Sequence, residues 1–166
     1  MDALEVFKKR ISVREYGDRP VEKEKLEKIA DAGHLAATAR NEQPWEFVIV
    51  TDRDKIKELA GITDHGKFMS GAAASIVVFC KDTKYYLEDG SAATENMLLA
   101  AAALGIASCW IAGDKKEYGT KIAEALSAPA GLKLVSIIAL GYPRSDPAPH
   151  TKKPLKEVMH WEKLGV

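Results

Sequence analysis

Apolar and polar positions along this chain switch between two periods, and the switches mark its elements. Positions 2–10 carry Leu4, Val6 and Phe7 as a partial apolar face on a charged stretch, which predicts a first helix. Positions 11–16 alternate in character, and Gly17-Asp18-Arg19-Pro20 reads as a turn. Positions 22–35 put Leu26, Ile29, Ala30 and Gly33 on one side, with lysines and acids opposite, an amphipathic helix. Positions 36–44 are polar and irregular, 45–50 form a strand, and the residues from Thr51 to Asp54 start a helix through Ile56, Leu59 and Ala60. Beyond a loop with a short helix at 61–71, a fully apolar strand at 75–80 precedes a long central helix at 85–104. A buried strand at 106–112, a helix at 115–126 and a strand at 132–140 complete the pattern.

The expected order is therefore α α β α β α β α β, with no Asn-Gly or Asp-Gly hairpin and no internal repeat. Strands without polar alternation predict a sheet covered on both faces. The central helix is apolar nearly all round from Met97 to Leu104, so it is expected to be buried. Its alanines allow close approach of a second helix, a partner chain or a flat cofactor. The stretch 96–113 has no charge and matches a membrane span in length. Gly105, Ser108 and Cys109 interrupt it, however, and it reads better as a helix ending at Leu104-Gly105 followed by a buried strand.

Composition narrows the class. With 166 residues, 46% apolar and 29% charged, the chain has the size and make-up of one soluble globular domain. Its 24 Lys+Arg balance 24 Asp+Glu, so no excess of cation is available to displace counterions from nucleic acid. Cys80 and Cys109 sit in apolar runs, outside any CxxC pair, and read as small buried hydrophobes. Positions 1–10 look like a charged helix and not a secretory leader, which makes a reducing cytoplasm the expected compartment.

Several chemistries lack their signatures. There is no Gly-x-Gly for a dinucleotide fingerprint, no Gly-Lys-Ser/Thr phosphate loop and no Gly-x-Ser-x-Gly elbow. His34, His65, His150 and His160 have no metal-ligand spacing with one another or with the cysteines. An enzyme of this composition would carry its chemistry on a bound cofactor, with the protein supplying grip and orientation.

Three segments do carry chemistry. If Arg10-Ile11-Ser12-Val13-Arg14 is extended, residues 10, 12 and 14 project to one side. Two guanidinium groups and a hydroxyl then form an anion grip; the alternative reading is that both arginines solvate a helix end. In Asn41-Glu42-Gln43-Pro44-Trp45, Pro44 confines Gln43 to an extended backbone, and two amides stand on a rigid mount or the Trp simply anchors a loop. Ile111-Ala112-Gly113 ends a strand in small residues, leaving backbone N–H groups open to a planar ring or merely turning there. Lys152-Lys153 before Pro154 is a second basic cluster, by itself a solvated tail.

Taken together these segments resemble the nitroreductase family of flavin enzymes over nearly the whole chain, in the family's order and spacing. The likeness is carried by Arg10-Ile11-Ser12-Val13-Arg14, Asn41-Glu42-Gln43-Pro44-Trp45, Glu95-Asn96-Met97-Leu98-Leu99-Ala100 with Leu104-Gly105, Leu140-Gly141-Tyr142-Pro143, and Pro154-Leu155-Lys156-Glu157-Val158-Met159-His160. It implies one α+β domain over residues 1–166, with a mixed, mostly antiparallel central sheet flanked by helices. It further implies a domain-swapped homodimer in which the tail (about 144–166) reaches the partner subunit and FMN lies at the interface. Arg10, Ser12 and Arg14 would hold the FMN phosphate and ribityl chain, and Lys152 would close on the phosphate where the family usually has Arg. Ala37, Thr38, Ala39 and Asn41 would reach the partner's flavin. Ile111, Ala112 and Gly113 would line the ring, with a backbone N–H near Gly113 donating to N5.

The implied activity is a ping-pong transfer from NAD(P)H through FMN to a nitroaromatic, quinone or similar small acceptor. No catalytic side chain, metal, nucleic acid or membrane is involved. Four departures stand out: Ala37-Thr38 replaces Pro-Ser, Ala112 replaces the acid that some members have, His150 stands where a cation is common, and Lys152 replaces Arg. The chain is short for the family, which implies reduced lid insertions and an open pocket. The alternatives are other flavin chemistry on the scaffold (dehalogenation, flavin fragmentation, other dehydrogenations), a non-catalytic flavin or nucleotide binder, and a colourless protein–protein adaptor.

Overall fold

The computed structural model describes residues 2–148 and 151–164; His150, singled out above, lies outside them. Among the described residues the helices are α1 (Ala3–Lys9), α2 (Lys23–His34), α3 (Arg53–Ile62), α4 (Tyr86–Ala103) and α5 (Gly119–Ala125). The strands are β1 (Trp45–Val50), β2 (Ala74–Lys81), β3 (Ala107–Ala112) and β4 (Leu132–Gly141). They form one sheet in the order β1-β2-β4-β3. Every strand pair is antiparallel, and the single parallel contact is an isolated bridge from Ser12 to Ser108. The α+β class stands, and the sheet is antiparallel where a mixed one was implied.

Local chemistry sets the boundaries. Asp2 and Asp52 cap α1 and α3 by accepting from the N–H groups of Leu4 (3.3 Å) and Lys55 (2.8 Å). α4 ends in a paired C-cap: Gly105 takes φ +72° and donates to the Ala102 carbonyl at 3.2 Å, and Ile106 donates to Ala101 at 2.8 Å. This cap turns the uncharged run into helix, turn and strand, and no helix among the described residues is long and apolar enough to cross a membrane. The last helix is shorter than 115–126. Lys115 adopts φ +58° and Lys116 donates to the Gly113 carbonyl at 3.3 Å, so residues 113–118 are a turn ahead of α5.

Both faces of the sheet are covered. Ile76, Val78, Cys80, Ile138 and Leu140 point to α2 and α4, where Leu26, Ile29, Ala93, Met97 and Ala101 meet them. Val77, Phe79, Ile137 and Ala139 point the other way, to Ile56 and Leu59 of α3 and Ile122 of α5. Gly33 lets α2 lie against α4, since a Cβ there would fall 2.2 Å from the Met97 side chain. The central helix is less enclosed than its composition suggests. Met97, Leu98 and Ala101 are buried, but Leu99 and Ala100 are half-covered and Ala103 is exposed, because sheet and α2 screen only part of its circumference. With Ala3, Val6 and Phe7 of α1 they line an open apolar groove of about 280 Å³. The described apolar residues of the tail lie outside both cores: Leu155, Val158, Met159, Trp161 and Leu164 are all exposed.

A polar clasp sets where the tail leaves the body. The Tyr142 hydroxyl donates to Glu22 (2.7 Å) and accepts from Lys25 (2.8 Å), while the Arg19 guanidinium lies 4.1 Å over its ring. The Tyr142 hydrogen bond, then the bond to Glu22's own backbone, lower the Glu22 carboxyl to about 2. A depressed carboxyl contributes stability above its unfolded value near 4.5, and this is lost as pH falls from there towards 2. The melting-temperature difference between wild type and Glu22→Gln should therefore be largest above pH 5 and close as pH falls through that window. A difference that stays constant down to about pH 2 would show that the clasp acts without the carboxylate's charge.

Candidate functional site

β3 is an edge strand, and its register decides which backbone groups are free. Gly113 donates to the Val135 carbonyl at 3.0 Å, so its N–H belongs to the sheet. Val135 is itself an extra residue in β4: Val78 pairs with Ser136 and Phe79 with Leu134, leaving Val135 as a bulge beside the end of β3. Residues of opposite parity point outward. The Ser108 carbonyl accepts from Val13 N–H at 2.9 Å, and the Ala112 carbonyl accepts from the Tyr118 hydroxyl. Since N–H and C=O of one strand residue point to the same side, the Ala112 N–H also faces the free edge. Ala112 is exposed, and its N–H is the donor near Gly113 that remains available to a ligand.

The anion grip forms beside this edge. Arg10 caps α1 through its N–H to Val6 (2.9 Å), and its side chain, 19% exposed, reaches to 3.8 Å from Glu95 on α4. Ser12 is extended against Ser108, with Val13 buried between it and Arg14. The Arg14 guanidinium lies 5.6 Å over the Phe68 ring. Burial raises the Cys109 thiol, and Arg14, the Ser12 hydroxyl and Arg10 lower it in part. Cys109 is buried, as expected of a small hydrophobe.

A cavity of about 210 Å³ opens here, between Arg14, Phe68, Ile111, Ala112 and Lys116. The sequence pattern, a loop with a short helix at 61–71, does not single out His65 and Phe68 as site residues. The signal was Gly66: a Cβ there would meet Thr63 Oγ1 at 2.5 Å and Ile111 Cγ2 at 3.1 Å, so glycine lets this loop close over β3. Lys116, 3.6 Å from Asp64, ties the β3–α5 turn to the same loop. Two larger hollows, of about 500 and 570 Å³, flank the loop 128–132, but neither contains Arg10, Ser12 or Arg14. Of the expected grip residues the smaller cavity is lined by Arg14, with Ile111 and Ala112 of the strand end beside it.

The other expected residues lie elsewhere. Ala37, Thr38, Ala39 and Asn41 form a separate loop against the start of α4, where Thr38 Oγ1 and Ala39 N–H donate to Asp89 at 2.9 Å each. None of them lines the cavity beside Arg14. Gln43, expected to be extended ahead of Pro44, instead takes φ +49° with its N–H donated to the Thr38 hydroxyl at 3.1 Å. Lys152 is exposed on the tail. Among the described residues no group of three His, Cys, Asp or Glu side chains is placed to hold a metal.

The trio and the free edge fit FMN: two guanidiniums and a hydroxyl suit a phosphate, and an outward N–H flanked by a small side chain suits a flat ring. The cavity itself is smaller than the usual pocket for a ligand of that size.

Comparisons with known proteins place the fold. A family model described as "Putative TM nitroreductase" matches residues 2–164. A protein of Archaeoglobus fulgidus named "Putative NADH dehydrogenase/NAD(P)H nitroreductase" is 39% identical, with 87% of each chain covered. A crystal structure of a protein with the same name from Parabacteroides distasonis superposes with TM-score 0.91 at 32% identity, covering 98% of both chains. A nitroreductase from Desulfovibrio desulfuricans, described as putative and crystallised in complex with FMN, superposes with TM-score 0.85 at 29% identity, covering 99% of both. Matched from residue 2 to residue 164 and superposable over nearly its full length, the chain belongs to the nitroreductase family.

Proposed function

We propose that this chain is an FMN-dependent oxidoreductase that takes electrons from NAD(P)H and passes them, by a ping-pong cycle, to a nitroaromatic, quinone or similar small acceptor. The observation that carries the reading is the cavity at the free edge of β3 that Arg14 and the exposed Ala112 share, in a chain of this family. The flavin, when bound, supplies the hydride chemistry. The protein's part is to bind and orient. Arg10, Ser12 and Arg14 grip the phosphate and ribityl chain. Ile111, Ala112 and Gly113 back the ring, with the Ala112 N–H as the donor aimed at it and Gly113 holding the strand end to β4. Lys116 adds positive charge at the ring end of the cavity, and the exposed position of Ala112 leaves room for donor and acceptor in turn.

The functional unit in this reading is a homodimer. The groove between α1 and α4 and the exposed apolar side chains of the tail need cover that this chain does not provide. A second copy supplies it: residues 144–166 reach across, Lys152 closes on the partner's phosphate, and the loop carrying Ala37, Thr38, Ala39 and Asn41 completes the partner's site. The two unpaired buried cysteines suit a reducing cytoplasm.

The test is an absorbance spectrum of the purified protein, with sedimentation of the same sample. Flavin bands that bleach on anaerobic NADH or NADPH addition, and return on addition of a quinone or nitroaromatic, are expected of a dimer. A protein that stays colourless and takes up no added FMN would overturn the reading. Bound flavin that neither pyridine nucleotide reduces would favour a non-catalytic binder.

A further inference from the structure

Asp89 is the one carboxylate among the described residues that is buried, 4% exposed in the first turn of α4. A buried carboxylate is costly unless its oxygens are satisfied. Here both are, and by one short segment: Oδ2 accepts from the Thr38 hydroxyl and Oδ1 from the Ala39 N–H, each at 2.9 Å. The Thr38 oxygen in turn accepts from the Gln43 N–H at 3.1 Å. The single proton of that hydroxyl is thus committed to Asp89, and Thr38 acts as a brace within its loop.

What the brace holds is an unfavourable backbone. Arg40, Asn41 and Gln43 have φ of +56°, +58° and +49°, in the left-handed region that side-chain-bearing residues avoid. The loop has no proline ahead of Thr38 to stiffen it. Its two ends are tied instead: Asp89 grips 38 and 39, and Thr38 grips 43, while between them Arg40 and Asn41 are left-handed and Glu42 is right-handed. Backbone strain of this kind persists where the surroundings over-determine it.

We propose that Asp89 is a positioning residue for the flavin site of the partner subunit: acting through Thr38 and Ala39, its carboxylate holds the loop in the one conformation that presents Asn41 across the dimer interface. The proposal rests on the reading that this loop reaches the partner's FMN. It assigns α4 a second role, since the helix that touches Arg10 through Glu95 also aims the loop through Asp89.

The test is an equilibrium titration of FMN against the apo-dimers of wild type, Asp89→Ala, Thr38→Val and Thr38→Ser, with a thermal melt of each. Asp89→Ala and Thr38→Val should raise the FMN Kd about tenfold, the scale of a lost buried hydrogen-bond pair, and Thr38→Ser should restore it. If Asp89→Ala does not fold, Thr38→Val carries the test. Kd values within twofold of wild type for both would overturn the proposal.

A heterodimer of one Asp89→Ala and one Arg14→Ala subunit tests the direction. A loop acting across the interface leaves one wild-type-affinity site per dimer, because both defects fall on the other site. No such site would overturn the proposal, since the loop would then serve its own subunit. Wild-type protein that binds no FMN would fail the underlying reading instead. Loss of FMN in Arg14→Ala but not in Asp89→Ala or Thr38→Val would fail this proposal alone.

Discussion

Removing both guanidinium groups, in Arg10→Ala/Arg14→Ala, should weaken FMN binding by about 10²- to 10⁴-fold. Hydrogen bonds to charged groups contribute roughly 1.5–3 kcal/mol each, so two are worth about 3–6 kcal/mol, and each 1.4 kcal/mol is about tenfold in Kd. The two arginines will not share the effect equally. Arg10 is 19% exposed and faces Glu95 at 3.8 Å, so its loss also leaves a carboxylate turned towards the phosphate site. Arg14 is exposed and rests on Phe68, where water and salt screen it, and its single replacement should cost about tenfold. Fluorescence titration with FMN and with riboflavin, at low and high salt, checks the assignment. The variant should lose FMN affinity while riboflavin binding changes little, and wild-type affinity should fall with salt more steeply than that of the variant. An equal loss for both ligands would mean that the arginines hold the strand end in shape and do not grip the phosphate.

Phe79→Ala should cost about 3 kcal/mol of stability, at the low end of the roughly 3–5 kcal/mol expected for deleting a buried ring. Phe79 is fully buried in β2, against Ile137 on β4 and the α3 and α5 side chains. It also borders the hollow of about 570 Å³ beside the 128–132 loop, so the space left by the ring opens towards water and does not remain a sealed void. Against a total of about 5–15 kcal/mol this is a large fraction. It should appear as a drop of roughly 6–12 °C in melting temperature for a domain of this size. The comparison is Ile49→Ala on β1, a residue 39% exposed, which should shift stability by less than about 1 kcal/mol. Both belong in FMN-free protein at one fixed concentration, because cofactor and dimer each add stability by mass action. Equal losses for the two would mean that the Phe79 ring is not closely packed between the sheet and helices α3 and α5.

The four strands and the first four helices lie where the apolar pattern put them because each owes its position to local periodicity. α5 was overestimated for a reason that pattern does not carry. Residues 115–118 are acceptable helix formers, but Tyr118 is drawn back to the Ala112 carbonyl and Asp114 is held by the Tyr86 hydroxyl at 2.6 Å. The turn that results is made by partners on β3 and α4, one of them 28 residues away. Met97 to Leu104 shows the opposite limit. An all-apolar face says that a helix wants cover, and does not say whether its own chain or a second copy provides it.

The candidate site divides along the same line. Arg10, Ser12 and Arg14 were legible because alternation along an extended segment puts them on one side within five residues. His65 and Phe68 were hidden because nothing in a polar loop says which strand it will cover; only the space Gly66 vacates beside Ile111 decides that. Asp89 was hidden more deeply, in a helix whose first turn ordinarily favours acids, 51 residues from the hydroxyl it holds. By itself the sequence determined the order of elements and the two-faced cover of the sheet, both of which follow from the spacing of side chains along one segment. Only the tertiary structure decided which backbone N–H stands free at the edge of β3, which loop closes over it and which carboxylate holds the loop at residues 38–43 in place. Those depend on register and on contacts between segments far apart in the chain, where burial and hydrogen-bond satisfaction over the whole fold select one arrangement from many that the local pattern allows.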